Sequence, residues 1–147
     1  MQPVLILKDL LDIAARQDEL SWEPFHPGVD IYRLYKDSER GAAAALLRYK
    51  PGASVPMHIH TGFEHIFVLS GSQTDENGEH QAGTLVINPP NTHHNVISQT
   101  GCIVLAIWEK PVLLPNNSWK LEGWKVKDSR LITCNPIICN LLTFNLL

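Results

Sequence analysis

Between Trp22 and Val112 the apolar residues fall in short runs, each closed by glycine, proline, asparagine or a charged residue. The runs are "VDIYRLY", "GAAAALLRYKPG", "VPMHIH", "FEHIFVLSG", "GTLVINPP", "HNVISQTG" and "CIVLAIWEKPV". They are rich in β-branched and aromatic residues, and their short, regular spacing predicts the strands of an antiparallel sandwich or barrel. Asn77-Gly78 predicts a tight hairpin in which both central residues take positive φ. Ahead of this region, "ILKDLLDIAARQ" at residues 6–17 places Ile6, Leu10, Ile13 and Ala14 near helical spacing and predicts a short amphipathic helix. After Pro111 the pattern decays into the polar "LLPNNSWKLEGWKVKDSR" and then the apolar "LITCNPIICNLLTFNLL". The expected organisation is one domain over residues 1–147, with an all-β barrel at about 22–112 and an irregular C-terminal extension at 113–147.

Composition narrows the function classes. The 147 residues suffice to bury a single core, and 44% hydrophobic with 18% charged residues is an ordinary globular balance. The net charge of −3, without a run of Lys or Arg, argues against nucleic acid or an anionic membrane as main partner. Cys102, Cys134 and Cys139 are odd in number and widely spaced, so they read as reduced thiols. The N-terminus lacks a secretory pattern, and the apolar tail is broken by asparagines and a proline. A cytoplasmic location follows as an expectation.

One polar cluster interrupts the apolar pattern. "PMHIHTGFEHIF" brings His58, His60, Glu64 and His65 together in a stretch that otherwise predicts strand. Strand side chains alternate between faces, so His58 and His60 project to the same side. Thr61-Gly62 turns the chain, and Glu64 then opens the next strand facing back toward the two imidazoles, with His65 pointing away. Further on, "PPNTHH" offers His93 and His94. Adjacent residues cannot share one face, and parity alone does not choose between them.

These segments resemble the paired motifs of the cupin superfamily. Gly52, His58, His60, Glu64 and Gly71 match every position of G-x5-H-x-H-x3-E-x6-G. Gly83, Pro89 and His94 match G-x5-P-x-G-x2-H-x3-N, with Asn91 in place of its second glycine and Ser98 in place of its asparagine. The resemblance therefore names His94 as the fourth member of a metal-ligand set with His58, His60 and Glu64. Asparagine tolerates the left-handed conformation, so the turn at Asn91 should survive.

Within the superfamily, "TDENG", "AGT", "NPP" and the "GC" opening the last run are similar to the cupin domain of ChrR-type anti-sigma factors and its free-standing relatives. The resemblance implies a double-stranded β-helix, the cupin jelly roll, and one divalent transition metal ion: Fe(II), Zn, Mn or Ni. It also implies a homodimer. Full ChrR-type proteins carry an N-terminal helical zinc domain that grips the sigma factor. The first 40 residues here hold no cysteine and only His26, so the anti-sigma role is not carried over.

Two functions follow as expectations. One is a mononuclear metal-dependent enzyme, dioxygenase-like or an isomerase, acting on a small organic substrate, with Glu64 doubling as a catalytic proton shuttle. The other is a metal-bearing sensor or binding module without turnover. Outside the ligand set, His65 is expected on the outer face, His93 outward or at a pocket rim, His80 exposed on its hairpin and His26 in a loop. Tyr32, Tyr35, Tyr49, Trp108 and Arg48 are expected to pack in the core or on a dimer face rather than line a substrate pocket. Cys102 is expected to be inert.

Overall fold

The near-continuous apolar run "AAALLRY" has a simple cause: its strand is buried on both faces. Ala43, Ala45, Leu47 and Tyr49 point into the barrel core, while Leu46 points outward beneath Ile13, Leu10, Leu20 and Trp22 of the N-terminal segment. Leu46 and the inward-facing Ile31 are fully buried, and each contributes roughly 1.5–3 kcal/mol. The structure, a computed structural model, describes residues 3–115.

Nine strands follow in chain order: β1 Glu23–His26, β2 Val29–Lys36, β3 Ala43–Tyr49, β4 Ala53–Ile59, β5 Glu64–Asp75, β6 Gly78–Gln81, β7 Leu85–Asn88, β8 His93–Ser98 and β9 Cys102–Trp108. Every pairing is antiparallel. The order is β1-β2-β3-β9-β5-β8-β4, with β6 and β7 also on β5. This is the expected all-β jelly roll, a curled sheet closing on one apolar core.

The long strand β5 joins the two halves. Its first part pairs with β7 and β9, and its second part with β6 and β8. A register slip between Val68 and Ser70 bends it. At Gly71 it comes so close to the Gly101 carbonyl that a Cβ would sit 2.1 Å from that oxygen.

Three local expectations need correction. The helix over 6–17 shrinks to one turn, α1 Ile13–Arg16, between 3-10 turns at Leu10–Asp12 and Gln17–Glu19. Asp9 adopts a left-handed φ of 52°, which stops helical geometry before it starts, and Ile13 is the one buried anchor of that turn. The hairpin pairs Asp75 with Gly78, so its central residues are Glu76 and Asn77, and among these positions only Gly78 has positive φ. The Asn77 N–H instead bonds the Asp75 carboxylate at 2.7 Å. Finally β1, "EPFH", carried no strand signal. Its Pro24 is tolerated because β1 lies at the sheet edge.

Asn91 takes the left-handed φ of 68° expected of it. Beyond residue 115, the extension with Cys134 and Cys139 lies outside the described residues. Among those described, no helix is long and apolar enough to cross a membrane.

Candidate metal centre

The register between β4 and β8 decides which histidines meet. His58 pairs directly with His94, and Ile59 with His93, so His94 shares the inner face while His93 stands exposed outside. A slip between Val55 and His58, spanning Pro56, re-aims the end of β4 toward the core. Glu64 opens β5 and faces the same point. His58, His60, Glu64 and His94 are all buried, and one ligand atom from each lies within 4.8 Å of the others. His65 points the opposite way, beside Phe67, Leu85, Leu105 and Ile107 on the outer face.

Hydrogen bonds fix which nitrogen of each ring faces inward. His58 Nδ1–H donates to the Pro56 carbonyl at 2.9 Å, since a carbonyl can only accept. The Thr92 hydroxyl spends its proton on the Pro89 carbonyl at 2.6 Å, so it accepts from His60 Nδ1–H at 2.9 Å. His94 Nδ1 faces the Asp75 carboxylate at 3.4 Å and donates to it. Each acceptor selects the Nδ1–H tautomer, leaving three Nε2 lone pairs aimed at one another. His58 and His94 Nε2 are 3.0 Å apart, and His60 Nε2 lies 2.9 Å from Glu64 Oε2. His60 Nε2 nonetheless has no aligned hydrogen-bond partner.

Such a convergence of lone pairs and a carboxylate is repulsive until a cation enters. Separations of 2.9–3.3 Å, as between His58 and His94 Nε2, His60 Nε2 and Glu64 Oε2, and His94 Nε2 and Glu64 Oε2, are those of atoms sharing one ion at roughly 2.0–2.2 Å. The residues therefore fit a mononuclear metal. Without the metal, a proton takes part of that role. Burial alone would lower the pKa of His94, but its bonds to Glu64 and Asp75 raise it above the ordinary imidazole value. Burial alone would raise Glu64, yet the three histidines hold it well below the carboxylate range.

The partners of Glu64 were not legible in the spacing. Trp108 Nε1–H donates to Oε1 at 2.7 Å and Asn88 Nδ2–H to Oε2 at 2.9 Å. Both come from strands paired with Glu64 itself, β9 and β7. Trp108 was expected merely to pack; it packs and also orients the carboxylate. Tyr49 lines the neighbouring cavity as well. The other aromatic and basic candidates lie elsewhere: Tyr35 is exposed, Tyr32 meets Trp22 edge-on, and Arg48 pairs with Asp30 while stacking over the Trp22 ring. Cys102 is buried, and burial pushes its thiol up to about 11, in keeping with an inert role.

The "TDENG" hairpin also does more than turn the chain. Asp75 Oδ1 accepts from His80 Nε2–H at 3.0 Å, while Oδ2 faces His94. His80 is thus tied down rather than free at the hairpin edge. Glu76 accepts the Asn95 N–H at 3.1 Å and clasps the strand carrying His94. An outer carboxylate that orients a ligating imidazole typically accounts for 10–100-fold in metal affinity. Asp75→Ala is therefore expected to weaken ion binding by about that factor. Competition against a chelator measures it, and the ion stoichiometry at saturation should stay at one.

Fold and site together define a cupin with a buried cluster of three histidines and one glutamate. The ChrR cupin-like domain profile matches residues 11–111, and the chain belongs to that family. Among solved structures, a chain of the Rhodobacter sphaeroides SigE complex with the anti-sigma factor ChrR is 26% identical. That match covers 74% of this chain and 70% of the other, with a TM-score of 0.60. An RmlC-like cupin from Ralstonia eutropha is also 26% identical, over 67% of this chain and 69% of its own, with a TM-score of 0.60. The acetylacetone dioxygenase of Acinetobacter johnsonii shares the fold at 15% identity, covering 80% of each chain with a TM-score of 0.64. No curated protein sequence matches.

Proposed function

We propose that the protein binds one divalent transition metal ion through His58, His60, His94 and Glu64 and uses it as a small-molecule site, with dioxygenase-like chemistry on a small organic substrate. The observation that carries this reading is the triple tautomer lock, which turns three nitrogen lone pairs toward one buried carboxylate. A three-nitrogen, one-oxygen set suits Fe(II), Mn, Ni or Zn. When bound, such an ion supplies Lewis-acid or one-electron chemistry at positions the protein leaves open.

A cavity of about 40 Å³ adjoins His58, Glu64 and His94 and is otherwise mostly apolar, lined by Val55, Ile66, Val96, Trp108 and Val112 among others. That space supports an open site over one closed for structural reasons alone. Trp108, Asn88 and the three imidazoles hold Glu64 as a fixed anionic ligand. A proton-shuttling role for it remains a proposal that these bonds weigh against.

Family membership favours the second reading, a metal-bearing sensor or binding module. Growth in defined metals, followed by metal analysis and O2 uptake over a panel of small substrates that includes acetylacetone, separates the two. Labile Fe(II) with O2-dependent consumption is the result expected of the enzyme. Tight zinc without turnover would overturn the enzyme reading and leave the module. The proposed homodimer would use the outer face of β5, β7 and β9, where Leu85, Ile87 and Ile107 are exposed.

A further inference from the structure

Two buried side-chain atoms among the described residues lack a hydrogen-bond partner: His60 Nε2 and His26 Nε2. An ion in the cluster accounts for the first. The second has no such explanation, and an unsatisfied buried nitrogen is rare enough to require one. His26 closes the edge strand β1, where it stacks edge-on against Phe25 with ring centroids 4.8 Å apart. It lines the same cavity as His58, Glu64 and His94. The expectation of a loop histidine is thus corrected: the residue belongs to the chamber beside the ligand cluster.

The chemistry of that chamber narrows the occupant. A dication held by neutral imidazoles and one carboxylate leaves a net charge of +1, which favours a monoanion. The space of about 40 Å³ beside the cluster suits a ligand of a few heavy atoms. Besides the ligand cluster, the polar side chains of the lining are His26, Tyr49, Gln73 and Trp108, and of these only His26 has a buried polar atom without a partner among the described residues, which singles it out as the second anchor. Burial lowers the His26 pKa, which favours the neutral ring that can present an Nε2–H.

We infer that His26 is the ligand-binding residue of this cavity, donating from Nε2 to the outer oxygen of a small oxyanion, such as a short carboxylate, whose other oxygen binds the ion. The inference rests on the proposed metal site and adds to it the class of ligand and the group that orients it.

Formate is the probe, added to the full chain loaded with Co(II) and followed through the visible absorption of the cobalt ion. Cobalt stoichiometry and thermal midpoint are measured first for wild type, His26→Phe and His26→Gln, with His26→Ala in reserve if phenylalanine does not fit. Wild type is expected to bind formate about tenfold more tightly than His26→Phe, the effect of one hydrogen bond. His26→Gln, which keeps an N–H, should recover most of the difference. One cobalt per chain with equal formate affinity in all variants would overturn the inference, because His26 would then be satisfied by a trapped water. One cobalt per chain with no spectral response to formate would overturn it too, leaving the metal site intact. A wild-type chain that takes up no cobalt would instead overturn the metal reading on which the inference rests.

Discussion

His94→Ala is expected to leave the protein without a stoichiometric ion, as is His58→Ala, whereas His65→Ala keeps one ion per chain. The separation follows from which way neighbouring side chains face. His94 and His58 sit directly opposite each other with their Nε2 atoms 3.0 Å apart, so removing either takes away one of three inward nitrogens. Binding energies of four-ligand zinc sites are about 10–16 kcal/mol, so one ligand is worth about 3 kcal/mol, a hundredfold or more in affinity. His65, adjacent to Glu64 in sequence, faces the outer apolar surface and loses only surface contacts. Metal analysis after dialysis against a weak chelator distinguishes the variants. Undiminished metal in His94→Ala would assign the ligand role to another residue.

The second large effect concerns the fold. Gly52 and Gly71 both belong to the first motif and have similar positive φ values of 79° and 71°, yet their surroundings differ. A Cβ on Gly52 would meet nothing within 4 Å, whereas one on Gly71 would lie 2.1 Å from the Gly101 carbonyl oxygen and 3.0 Å from Cys102 Cα. Both of those neighbours are backbone, and no rotamer change relieves the contact. Gly52→Ala should cost about 1 kcal/mol, the left-handed penalty alone. Gly71→Ala should cost about 4 kcal/mol, because β5 must move away from β9 at the place where it crosses between sheets. Against a typical stability of about 5–15 kcal/mol, that is enough to bring the domain near unfolding. Urea unfolding of the two variants side by side tests the difference, and equal midpoints would contradict it.

These two cases separate what the order of residues alone encodes from what the fold adds. The inward trio of His58, His60 and Glu64 was legible because strand alternation is a property of the backbone and needs no knowledge of neighbours. The choice of His94 over His93 was not legible from alternation. It depends on the β4–β8 register, which spacing along one strand does not encode. The same holds for Asn88, Trp108, Thr92 and Asp75, each of which reaches the site from a different strand or turn. Asp75 is hidden further because Asn77-Gly78 predicts a turn with two positive-φ residues, whereas the Asp75 carboxylate itself bonds Asn77 and helps shape it. His26 is not legible because "EPFH" is too short, and too marked by its proline, to show as a strand, and without a strand the residue has no predicted face. The N-terminal segment differs from its pattern for a related reason: apolar spacing predicts a helix, but a left-handed Asp9 restricts regular helix to one turn.

The measurement that bears most directly on the metal centre is anomalous diffraction from crystals of protein grown in a defined metal, collected on both sides of that metal's absorption edge. One strong peak is predicted per chain, about 2.0–2.2 Å from the Nε2 atoms of His58, His60 and His94 and from an oxygen of Glu64. Crystals with no peak among those four side chains, or with the ion at another place, would contradict it.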